Sequence, residues 1–184
     1  MKMYKTDYRR LDFRKDSLYT IMHGLKASVD IIDEKLKLND WYDGIFAREE
    51  LEPVVGIAFI TCQNYINKSI ADLQPSYYNS LKKHQFYEKY KFLKNYPSTA
   101  IQLIVAIANY AKHEEEGDLK HHTTKVLDTF NLEYVNPDIV DSSPIFSALE
   151  LIDENWNLIV LADLICDWRE ELWQSLEDNS NTEP

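Results

Sequence analysis

The sequence predicts an all-α protein, an up-and-down helical bundle of four to five helices. Three observations carry that expectation. Apolar residues recur at helical steps of three and four over several long stretches. Residues 100–111 hold ten apolar residues in twelve, the mark of a helix buried on every side and too short to cross a bilayer. Only four glycines and six prolines punctuate 184 residues, too few for a turn-dense β fold. Residues 1–184 read as one helical domain, with residues 1–16 a partly ordered arm and residues 178–184 a frayed tail.

The first helix is expected over residues 17–38, where Leu18, Met22, Leu25, Val29, Ile32 and Leu36 draw one stripe. Residues 39–44, NDWYDG, form a connection rich in turn residues. A second long helix follows, with Pro53 in its first turn or kinking it, and Val55, Phe59, Cys62, Ile66, Ile70 and Leu73 as its apolar face. Gln63 and Asn64 interrupt that face. They are either amides at the edge of the core or, in the functional reading, Gln63 belongs to a polar pocket.

Residues 75–97 combine seven aromatics with five lysines against the single acid Glu88. Such interleaving could track a phosphate backbone and stack bases. The plainer reading, which the sequence favours, is a short amphipathic helix with tyrosines on the bundle and lysines in water.

The central helix is expected from Thr99, capped by a Thr99–Gln102 box after Pro97, and ending at Gly117. Asn109, Lys112 and His113 lie at i, i+3 and i+4 near its end and so share a face. They are the candidate catalytic or binding residues, with Gln63 as the candidate fourth wall of their pocket. A helix of about twelve residues capped by Asp118 should follow, with Leu119, Val126, Leu127 and Phe130 inward. Residues 131–143 read as a loop and as the one place for a short extended piece. Ser143 as N-cap and Pro144 at N1 then open a last helix to about Leu176. Its three tryptophans, Trp156, Trp168 and Trp173, suit the core or a dimer interface.

The segment ANYAKHEEE, residues 108–116, resembles the ANY-x-KH-x-[DE]-E element of a group of uncharacterised bacterial proteins, and GIAFITCQNYI, residues 56–66, is similar to a second segment of that group. Both resemble the wider HEPN class of all-α proteins. Asn109 matches the polar position of the HEPN motif and His113 its histidine, while Ala108 stands at the arginine position. The resemblance implies a dimer in a stress or phage-defence setting. In its catalytic form it implies a metal-independent endoribonuclease with His113 as general acid or base, and Lys112 would then have to replace the arginine. Ala108 favours the other form, a non-catalytic dimeric binding or regulatory module.

The net charge of −11 disfavours non-specific binding to nucleic acid or anionic membranes. The expected partners are a second copy of the chain and a basic protein, with RNA a weaker candidate. No HExxH, CxxC or similar spacing occurs, so neither metal nor cofactor is expected. Cys62 and Cys166 are expected as free buried thiols. With no apolar h-region at its start and no run of roughly 18 apolar residues, the chain is expected in the cytoplasm.

Overall fold

A computed structural model describes residues 8–39, 41–77, 81–113, 119–134 and 143–182. The described residues form seven α-helices, two more than the upper expectation: α1 (Lys15–Leu38), α2 (Gly44–Tyr77), α3 (Lys83–Tyr87), α4 (Ala100–His113), α5 (His121–Thr129), α6 (Pro144–Ile152) and α7 (Leu158–Thr182). A 3-10 turn at Tyr8–Arg10 precedes them. The all-α class is as the sequence predicts. Among the described residues no helix is long and apolar enough to cross a membrane.

The long helix α2 is the axis of the molecule and packs against α1, α4, α6 and α7. Asp43 starts it, its Oδ1 accepting from the backbone N–H of Ile45 at 2.9 Å and of Phe46 at 3.2 Å. Pro53 lies nine residues in, so the Glu49 carbonyl loses its usual donor, yet the helix continues. Val55, Phe59, Cys62, Ile66, Ile70 and Leu73 are all buried, as their spacing requires. Gly56 permits the close approach of α4 and α6. A Cβ there would lie 3.3 Å from Ala111 Cβ and 3.6 Å from Ile145 Cδ1.

The central helix α4 is enclosed nearly all round, with nine buried residues between Ala100 and Tyr110. Its capping box forms as predicted: Thr99 Oγ1 accepts from Gln102 N at 3.1 Å, and Gln102 Oε1 accepts from Thr99 N at 2.9 Å. The expected continuation through residues 114–117 lies outside the described residues. So does Asp118, and α5 begins instead after Lys120, without a side-chain cap.

Two expectations about local structure need correction. The final helix is not continuous but divides into α6 and α7. The separators are Asp153 and Asn157. Asp153 Oδ2 accepts from Asn157 N at 2.8 Å, and Asn157 Oδ1 accepts from Ile159 N at 3.1 Å. These short polar side chains capture backbone donors that a continuous helix would use internally. Trp156 adopts a left-handed φ of 55° and stacks on Phe146, with centroids 4.9 Å apart. Trp168 and Trp173 are buried within the protomer, so they offer no face to a second copy.

The second correction concerns residues 88–99. Helix α3 has only five residues, and the chain beyond it turns through positive φ at Tyr90, Lys91 and Asn95. The extended piece lies here, as an isolated bridge between Phe92 and Thr99. Phe86 is fully buried, and Tyr87, Tyr90 and Tyr96 pack partly against the core. The expected loop of residues 131–143 is largely outside the described residues. Helix α7 reaches Thr182, which makes most of the expected tail helical.

Cys62 and Cys166 are unpaired and buried, and burial pushes both thiols upward in pKa. Neither has the electropositive, accessible setting of a reactive cysteine.

Candidate functional site

The polar interruption of α2 meets the polar end of α4. Val105, Asn109 and Lys112 fall at i, i+4 and i+7 on one face of α4. Gln63, only 5% exposed, reaches all three. Its Nε2 donates to Val105 O at 3.2 Å and to Asn109 Oδ1 at 2.8 Å. Its Oε1 accepts from Lys112 Nζ at 2.5 Å. A buried amide left unpartnered costs about 1–3 kcal/mol, and this one has both ends occupied. Gln63 therefore fixes Asn109 and orients the lysine ammonium.

Beyond this network opens a cleft of about 740 Å³ between α2, α3, α4 and α5. Helix α3 contributes Lys83, His84 and Tyr87, and α5 contributes His122, Thr123, Lys125 and Val126. Val105 and Ala106 supply an apolar floor from α4. Tyr87 is held in place twice. Its hydroxyl donates to Asn67 Oδ1 at 3.0 Å, and its carbonyl accepts from Thr99 Oγ1. Burial raises the Tyr87 hydroxyl to about 12, so it stays protonated.

The charge of the cleft opposes that of the chain. Among the described residues, Lys83, Lys112 and Lys125 line it with two histidines, against one carboxylate, Glu88. Partial burial lowers the pKa of Lys112, and the nearby charge of Lys83 lowers it further. Burial also lowers Lys83. No carboxylate among the described residues forms an ion pair with any of the three lysines. A second hollow, of about 600 Å³ beside α6, has the opposite character and is edged by Glu133, Glu150 and Glu154.

Of the predicted site residues, Gln63, Asn109 and Lys112 are brought together. His113 is half-buried on the last turn of α4 and is not among the residues lining the cleft. Ala108, at the arginine position of the resembled motif, is fully buried and likewise off the cleft. The residues that sequence reasoning missed are Lys83, His84, Tyr87, His122 and Lys125. The lysine–tyrosine interleaving and the His121–His122 pair were visible signals, but each reads as solvated surface until α3 and α5 are seen to line one cleft. Among the described residues no three His, Cys, Asp or Glu side chains converge as metal ligands would.

No protein-family model matches the chain, and neither do any curated proteins or solved structures.

Proposed function

We propose that the chain is a HEPN-like helical protein acting as a non-catalytic, dimeric binding or regulatory module, with the cleft between α2 and α5 as its binding site. The observation that supports this reading is the charge inversion: three lysines with no carboxylate partner among the described residues gather in one cleft of a chain whose net charge is −11. An anionic, phosphate-bearing ligand is what such a lining attracts. The stress or phage-defence setting rests on the resemblance alone.

The endoribonuclease reading needs a proton-transferring histidine beside a cation that stabilises phosphate charge. With Ala108 in the core and His113 off the cleft, the motif residues do not supply that pair at the site described. The test is incubation of a single-stranded RNA with the protein in a chelator, alongside His113→Ala. Intact RNA with both proteins is the expected outcome. Cleavage that disappears in His113→Ala would overturn the non-catalytic reading.

The dimer also remains a proposal. With α4 enclosed and two tryptophans of α7 buried, the exposed apolar residues that lie close together in sequence, Leu38, Trp41, Ile45 and Phe46 around the α1–α2 turn, are the candidate contact for a second copy. Light scattering on the same preparation should report twice the 21.7 kDa chain mass. A monomer at high micromolar concentration would remove the dimer and leave the binding module standing.

A further inference from the structure

The hydrogen-bonding polarity of the cleft narrows its ligand. Three amide side chains besides Gln63 face it, and in each the oxygen is already engaged. Asn67 Oδ1 accepts from the Tyr87 hydroxyl, Asn109 Oδ1 from Gln63 Nε2, and Gln102 Oε1 from the Thr99 backbone N–H. Their amide nitrogens make no hydrogen bond among the described residues, so each leaves an NH2 to donate. Lys83, Lys112 and Lys125 add ammonium groups, which can only donate. The cleft is thus rich in donors, and its one carboxylate, Glu88, is in ion-pair contact with none of the three lysines. The complementary ligand is rich in acceptors and carries several negative charges in a small space. Carboxylates offer two oxygens each, whereas a diphosphate gathers several acceptor oxygens and several negative charges on two phosphoryl groups joined by one oxygen.

The size of the cleft favours a small ligand. A volume of about 740 Å³ suits one small molecule, since ligand pockets run from roughly 300 to 1,000 Å³. Some cations elsewhere are already paired, as in Lys91 with Glu171 at 3.0 Å, Lys26 with Asp30 at 2.8 Å and Arg10 with Glu177 at 3.0 Å. Lys112 and Lys83 also repel one another at close quarters, which an anion between them would relieve.

We propose that the cleft binds a small molecule bearing a diphosphate group, held by Lys83, Lys112 and Lys125 and by the amide nitrogens of Asn67, Gln102 and Asn109. Gln63 is a positioning residue that aims the Lys112 ammonium. The uncharged part of the ligand rests on Val105, Ala106 and Val126. This proposal rests on the binding-module reading, and the test separates the two.

The experiment is isothermal titration of the full chain with ADP, inorganic pyrophosphate, adenosine and a twelve-nucleotide single-stranded RNA, at low and moderate salt. Saturable binding of ADP or pyrophosphate is expected, weakening as salt rises, with no binding of adenosine. Binding of pyrophosphate as tight as that of ADP would assign recognition to the diphosphate alone, and tighter ADP would add the nucleoside. The double variant Lys83→Gln/Lys112→Gln should lose at least tenfold in affinity while its melting temperature holds or rises, because a like-charge repulsion is removed. Lys26→Gln, on α1, which does not line the cleft, should bind as the wild type does. RNA binding that ADP fails to displace would overturn the diphosphate proposal and leave the binding module intact. Failure of all four probes to bind would overturn both. Wild-type affinity in the double variant would also overturn the assignment of the lysines.

Discussion

Gln63 and Tyr65 stand two residues apart on α2, and each is the centre of a polar cluster, yet the two clusters have opposite designs. Around Tyr65 every charge is answered. Its hydroxyl donates to Asp12, accepts from Cys166 Sγ at 3.5 Å, and lies beside Arg169, whose Nε is 3.7 Å from the same carboxylate. Arg169 is 3% exposed and also donates to the carbonyls of Arg9 at 2.7 Å and Arg10 at 3.4 Å. Its guanidinium sits over the Trp173 ring, 5.7 Å from the centroid. Arg10 with Glu170 and Arg14 with Asp72 extend the pairing outward, so residues 8–14 are fastened to α7 and α2. Around Gln63 the amide is satisfied, but the lysines beyond it are not matched by carboxylates among the described residues, and the cluster opens into a cleft. A closed, charge-balanced polar cluster fastens elements together; an open one with surplus donors is arranged toward something not yet bound.

The strongest way to break this comparison is Arg169→Ala. It leaves the Asp12 carboxylate, only 12% exposed, without its buried cation. Losing one partner of a buried pair costs about 3–5 kcal/mol. For a chain of this size that is a fall of about 10 °C in melting temperature, readable by circular dichroism. Ligand binding at the cleft should survive wherever the variant is folded.

A paired test on α2 sharpens the contrast. Tyr65→Phe removes a buried hydroxyl from Asp12 and Cys166 and should cost about 1–3 kcal/mol in a urea melt with no effect on the cleft. Gln63→Leu should cost about 1 kcal/mol or less, since water in the open cleft can replace the lost bonds to Lys112 and Asn109. Its affinity for a phosphate-bearing ligand should fall, because the Lys112 ammonium is no longer aimed. Equal losses of stability in the two variants, with binding unchanged in both, would erase the distinction.

The smallest effect is in pH dependence. The Arg10 guanidinium, hydrogen-bonded to Glu170, holds that carboxyl below the usual carboxylate range. A folded-state pKa below the unfolded one gives stability that is present above the unfolded value and lost as pH falls through the folded value. Glu170→Gln should flatten the acid limb of the stability curve, by less than about 1 kcal/mol because the pair is half exposed. Lys83 and Lys112 act in the same sense at the alkaline end: their folded pKa values are lowered, so stability rises as pH climbs toward the ordinary lysine value.

Much of the helical framework was legible in local sequence. The Thr99–Gln102 box, Ser143 with Pro144, and the stripe from Val55 to Leu73 each depend on spacing along one helix, and each forms as written. The break at Asp153–Asn157 was legible too late. Ile152, Trp156 and Val160 keep four-residue steps straight across it, and periodicity outweighed the two capping side chains that end one helix and start the next. The polar trio does not stay together. Asn109 and Lys112 face Gln63, while His113, one residue further round the same turn, is carried off the cleft.

The sequence by itself determined where helices form, which faces they bury and that Gln63 and Asn109 would need polar partners, because those follow from a period of 3.6 and from the cost of burying an amide. Only the tertiary structure decided what the lysines do. Lys83 on α3, Lys112 on α4 and Lys125 on α5 converge on one space across gaps of 29 and 13 positions in the chain. No local pattern encodes that meeting, since it depends on how α3 and α5 settle against α4. It likewise decided that residues 8–14 lie down on α7, where Arg169 buries its charge against Asp12 and the carbonyls of Arg9 and Arg10, roughly 160 residues away in sequence.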